Sequence, residues 1–156
     1  MVAGRGTKSE TLAVGDTPTF HLVVIYDDSA SGRRAKHFYD RAIQELADEC
    51  DFSFELWSFE VLALPEIGNS VARVAAEADF VILSMQGKAQ LSVQTRDWLE
   101  KWLKLIADHK PALIVLLDRR ETNRGAAAST LAYLRKIADR HEISFYAHAR
   151  FGLSSS

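Results

Sequence analysis

Three stretches of this chain are apolar without interruption: Leu22–Tyr26, Phe80–Leu83 and Ala112–Leu117. A strand with one face in water alternates apolar and polar residues. An unbroken run rich in Val, Ile and Leu instead fits a strand buried on both faces, as inner strands of a parallel sheet are. Two further segments do alternate. Phe52, Phe54 and Leu56 interleave with Ser53, Glu55 and Trp57, and Ile143, Phe145 and Ala147 with Ser144, Tyr146 and His148. Such half-covered strands are expected at the two edges of the sheet.

Between these segments the apolar spacing changes from two to three and four, the period of a helix. Ala35, Phe38, Tyr39, Ala42, Ile43, Leu46 and Cys50 make one stripe after a Ser-Gly start, and Gly32 falls outside it. Ile67, Val71, Val74, Ala75 and Ala78 make a second, with Pro65 suited to a first helical turn. Trp98, Leu99, Trp102, Leu105 and Ile106 make a third, stopped before Pro111. Ala127, Leu131, Leu134, Ile137 and Ala138 make the fourth.

Five strands alternating with four helices predict an α/β, three-layer, doubly wound parallel sheet joined by right-handed crossovers. With the edge-like strands second and fifth in sequence, the strand order is 2-1-3-4-5. A Rossmann order needs a sixth strand, for which the chain lacks room. In open α/β sheets ligands bind at the carboxyl ends of the strands where the chain reverses direction, here between the first and third strands. The loops that would form this crevice are Asp27–Gly32, Ser84–Leu91 and Asp118–Gly125.

A length of 156 residues suits one domain. Residues 1–19 read as a flexible lead-in, 20–153 as the domain and 154–156 as a loose end. A net charge of −2 argues against general affinity for nucleic acid or anionic membranes. No apolar run approaches a membrane span, and the first residues contain no secretory apolar core, so a cytoplasmic location is expected. Cys50, the single cysteine, cannot form an internal disulfide, which fits a reducing compartment.

The segment Asp27-Asp28-Ser29-Ala30-Ser31-Gly32-Arg33-Arg34 leads from the first strand into the first helix. First-turn N–H groups have no partner within a helix, and the helix dipole is positive there, so hydroxyls and a glycine at this point can cradle an anion. Ser29, Ser31, Gly32, Arg33 and Arg34 are the phosphate-binding candidates. The alternative for the same residues is Ser31 as a helix cap and Asp27-Asp28 as a turn. Asp27, Asp28, Ser84, Gln86, Lys88, Asp118, Arg119 and Arg120 would line the crevice rim, whose cations the aspartates partly neutralise.

Ser29-Ala30-Ser31-Gly32-Arg33-Arg34 after a buried strand resembles the flavodoxin phosphate loop, Ser/Thr-x-Thr-Gly-x-Thr. The apolar Ala78–Leu83 and the later Arg96-Asp97-Trp98-Leu99-Glu100-Lys101 are similar to flavodoxin-like quinone reductases, in which Lys-x-Phe-x-Asp-Arg follows the strand. The resemblance spans about Leu22 to Trp102. It implies a flavodoxin-like fold, with Ser29, Ser31, Gly32 and Arg33 at the phosphate of an FMN. In that family the loop after the third strand carries a proline and an aromatic that hold the flavin ring. Here Ser84-Met85-Gln86-Gly87-Lys88-Ala89-Gln90 has neither, and Asp118–Asn123 has no aromatic. No cofactor is therefore expected, with FMN kept as an alternative.

The acidic pair Asp27-Asp28 also resembles response-regulator receiver domains, but Ser84 stands where the phosphoacceptor aspartate belongs. A pseudo-receiver is the corresponding alternative. Asp27 occupies the thiolate position of a Cys-x5-Arg loop, no Walker A loop or Gly-x-Gly-x-x-Gly occurs, and the five histidines lack metal-ligand spacing. The expectation is a divergent flavodoxin-like module that binds a phosphate-bearing small molecule or a protein partner, without assignable catalysis and without metal. Trp98 and Trp102, four residues apart, are expected in the core rather than at an interface, and the wide apolar face of their helix leaves homodimerisation open.

Overall fold

The computed structural model describes residues 2–6, 18–27, 29–46, 49–86, 91–118 and 124–148. Among these residues six strands form one sheet: β1 (Val2–Gly6), β2 (Thr19–Tyr26), β3 (Asp51–Ser58), β4 (Phe80–Gln86), β5 (Ala112–Asp118) and β6 (Phe145–His148). The helices are α1 (Ser29–Leu46), the single-turn α2 (Phe59–Leu62), α3 (Pro65–Ala76), α4 (Val93–Leu105) and α5 (Arg124–Arg140).

The strands lie in the order β1-β3-β2-β4-β5-β6. Every pairing from β3 across to β6 is parallel, so the five strands read from the sequence do stand in the order 2-1-3-4-5. The expected edge at β3 is different. Residues assigned to the lead-in form β1, which runs antiparallel to β3 from Val2 opposite Leu56 to Gly6 opposite Phe52. The half-covered pattern of β3 thus reflects partial covering of its faces, because its edge is paired on both sides. Thr19, also assigned to the lead-in, opens β2; residues 7–17 and 154–156 lie outside the described residues.

Alternate residues of each inner strand enter two separate cores. Leu22 and Val24 of β2, Phe52 and Phe54 of β3, Ile82 of β4 and Leu116 of β5 face α1, where Ala35 and Tyr39 meet them. Val23, Ile25, Val81, Leu83, Leu113, Val115 and Leu117 face the opposite way, against α3, α4 and α5. Both faces are apolar, which is why the inner strands read as unbroken runs. Trp98 and Trp102 of α4 stack with centroids 6.1 Å apart and are 3% and 0% exposed. Burial of that extent stabilises the fold by about 2–3 kcal/mol for each large side chain. Both indoles thus belong to the chain's own core, as their spacing on the helix suggests. Among the described residues no helix is long and apolar enough to cross a membrane.

Candidate functional site

β2 lies at the reversal point of the topology. The chain leaves it through α1 on one face, and leaves the neighbouring β3 through α2 and α3 on the other. The crevice between the carboxyl ends of β2 and β4 is therefore where a ligand site is expected in such a sheet. The backbone N–H of Asp27 donates to the carbonyl of Ser84 at 3.2 Å, extending the β2–β4 pairing one step past Tyr26.

The connection from β2 into α1 is shorter than the sequence suggested. Only residues 27 and 28 separate the two, and helical backbone starts at Ser29. Ser29, Ser31, Gly32, Arg33 and Arg34 all belong to the first two turns of an 18-residue helix. Ser31 is consequently within the helix and is not its N-cap, which must precede the first helical residue. The first-turn N–H groups of Ser29, Ala30 and Ser31 have no acceptor within the helix itself, and the first turn carries no acidic residue. Arg33 is exposed. Gly32 is buried, with its hydrogen side against the ring of Tyr26. Its lack of a side chain thus makes room for a residue of the same chain, and it belongs to the packed surface of α1 despite lying outside the apolar stripe.

Ser84 is 0% exposed and sits two residues before the end of β4, level with Tyr26 and Leu116. A serine so placed is not presented to a phosphodonor as a receiver acceptor would be. Gln86 and Asp118 end their strands side by side. Asp27 is exposed at the mouth. Asp28, Lys88, Arg119 and Arg120 lie outside the described residues.

Two other helix starts open on the same end of the sheet. Ser58 caps α2 by accepting from the Val61 N–H at 3.3 Å, and Ser92 caps α4 by accepting from the Thr95 N–H at 3.1 Å. Both helices satisfy a first-turn donor with their own serine. These caps were not singled out in the sequence, although each serine three residues before a helical donor is a recognisable start signal. Tyr26, the last residue of β2, was read only as the end of an apolar run.

No nucleophile emerges from the cysteine. Burial pushes the Cys50 thiol up from its ordinary value, and the charges of Glu49 and Asp51 push it further. Among the described residues no group of three or more His, Cys, Asp or Glu is placed to hold a metal ion.

No known protein-family profile matches the chain, and no curated protein matches it either. Solved structures do. The flavodiiron core of Flv1 from Synechocystis is similar over 85% of this chain and 30% of its own, with 8% identity and a TM-score of 0.54. The fold is flavodoxin-like. Translation elongation factor SelB from Methanococcus maripaludis is similar over 86% of this chain and 30% of its own, with 12% identity and a TM-score of 0.52. General stress protein 14 from Treponema denticola, solved in complex with FMN, is similar over 84% and 85% of the two chains, with 15% identity and a TM-score of 0.46. The chain spans about a third of the length of the Flv1 and SelB chains. At these identities the likeness concerns the fold, and superfolds of this kind host unrelated chemistries.

Proposed function

We propose that this flavodoxin-like domain is a binding module for a phosphate-bearing small molecule, held in the crevice between β2 and β4. The observation that carries this reading is the start of α1. A long helix opens at Ser29, two residues beyond the central strand and at the reversal point, with no carboxylate in its first turn. The N–H groups of Ser29, Ala30 and Ser31 lie at the carboxyl end of the sheet and, with the positive end of the helix dipole, favour negative charge there. Ser29, Ser31, Gly32, Arg33 and Arg34 remain the residues assigned to the anion. Asp27, Asp28, Ser84, Gln86, Lys88, Asp118, Arg119 and Arg120 are the proposed rim.

A two-residue connection offers less backbone to wrap a phosphate than the flavodoxin loop the sequence resembles. It suits a terminal phosphate presented end-on to the helix. FMN carries one such phosphate and is the cofactor-bearing version of this reading, which would make the domain an electron carrier or oxidoreductase. The module reading assigns no catalysis, and a buried Cys50 that forms no disulfide suits a reducing, cytoplasmic setting.

Calorimetric titration with inorganic phosphate, simple phosphate monoesters and FMN tests this. Saturable phosphate binding is expected, weakened on the order of fivefold or less by Arg33→Ala because Arg33 is exposed. Absence of heat and of thermal stabilisation with every phosphate would reject the proposal. Tight FMN binding with visible flavin bands would select the redox version.

A further inference from the structure

Helices α3, α4 and α5 share one face of the sheet, while among the described residues α1 stands without a neighbouring helix on the other. It covers β2, β3 and β4, and the ring of Tyr39 packs on Phe52 and Phe54 of β3, the latter with centroids 4.0 Å apart. The opposite flank of α1, marked by Phe38 about 100° round the axis from Tyr39, is therefore turned toward β5 and β6. Along that part of the face the register aligns Ile82, Ile114 and Tyr146. Ile82 is fully buried beneath α1, Ile114 is half-buried, and Tyr146 is 58% exposed. Phe80, on the same face of β4, and Phe38 itself are also half-buried. A doubly wound sheet carries helices across both faces, and this apolar patch beside α1 is covered by none of the described helices.

We infer that the patch is where a second copy of this chain docks. Arg41 and Glu45 are exposed and lie within about 60° of Phe38 round the same flank. Opposite charges four residues apart on one flank are self-complementary about a two-fold axis: Arg41 of one copy meets Glu45 of the other, and the reverse. Such self-complementarity is what an isologous dimer requires. The flank of α1 from each copy then covers the β5–β6 surface of the other, with Tyr146 as an aromatic anchor of the type that dominates interfaces. A net charge of −2 adds little repulsion.

Sedimentation equilibrium from low-micromolar to sub-millimolar protein tests the inference. A reversible monomer–dimer equilibrium is expected. Tyr146→Asp should raise its dissociation constant by about tenfold or more with the thermal midpoint little changed, since the side chain is exposed. Arg41→Glu should weaken the dimer, and the swap combining Arg41→Glu with Glu45→Arg should restore it. A monomer at every concentration overturns the inference, as does a dimer indifferent to both Tyr146→Asp and Arg41→Glu. A swap that fails to restore association rejects the two-fold pairing. Should Tyr146→Asp disturb folding, the charge variants on the exposed helix flank decide the matter alone.

Discussion

The ring of Tyr26 lies against Gly32: a β-carbon built on the glycine would stand 3.2 Å from Cδ2 and 3.4 Å from Cγ of that ring. Strand β2 and the first turns of α1 are locked together at the mouth of the crevice by this contact. Gly32→Val should cost about 1–3 kcal/mol of stability, the usual range for overpacking. Gly32→Ala should cost less, since alanine recovers up to about 1 kcal/mol of helix propensity while needing only a small shift of the ring. Removing the ring with Tyr26→Ala should make the valine tolerable. Urea midpoints of the three variants and the double variant check this. An equal valine penalty with and without the Tyr26 ring would show that the contact does not limit packing.

Trp98 and Trp102 stack on one another yet differ in hydrogen bonding. The indole N–H of Trp98 donates to the carbonyl of Gly68 at 2.9 Å, whereas that of Trp102 is buried with no partner among the described residues. Phenylalanine at either position removes similar volume, so the difference between the variants isolates the hydrogen bond. Trp98→Phe should destabilise by about 1–2 kcal/mol more than Trp102→Phe. Chemical denaturation of the pair measures it.

Gly68 is constrained from the other side as well. A β-carbon there would collide with the backbone carbonyl oxygen of Leu62, which joins α2 to α3. Gly68→Ala should therefore lower the thermal midpoint markedly, because a backbone atom cannot swing away as a side chain can. Differential scanning calorimetry would reveal it, and a near-native midpoint would mean that α2 shifts freely.

Tyr133 of α5 donates its hydroxyl to Glu100 of α4 at 3.2 Å. Desolvation raises its pKa above the ordinary value, and the charge and hydrogen bond of Glu100 raise it further, against opposing Arg96 and Arg140. A raised folded-state pKa means that the neutral phenol is favoured by folding. The associated stability is complete below about pH 10, the ordinary tyrosine value, and is lost as pH climbs through the raised folded value. The stability advantage of wild type over Tyr133→Phe should accordingly shrink between about pH 9 and pH 12. An advantage that grows with pH would contradict the assignment.

The inner strands were legible because both their faces are buried: Val23 and Val24, or Ile82 and Leu83, face opposite cores and both must be apolar. The end of β4 was not, because Ser84 interrupts the hydropathy signal while its backbone continues the pairing with β2 and β5. The start of α1 was misplaced for a related reason. Ser29-Ala30-Ser31-Gly32 carries little helical preference of its own, and the contact of Gly32 with Tyr26 is a tertiary one. Likewise Val-Ala-Gly-Arg-Gly shows neither alternation nor β-branched density, so nothing local announces β1. Its pairing is decided by the distant β3.

That distance bears on how the chain assembles. The residues of β1 leave the ribosome before their partner, Phe52–Leu56, which follows about fifty residues later. Closing so long a loop costs entropy that only a formed β3 can offset. A segment made early is thus expected to find its place late, and until it does, the edge of β3 stays open to pairing with strands of other molecules.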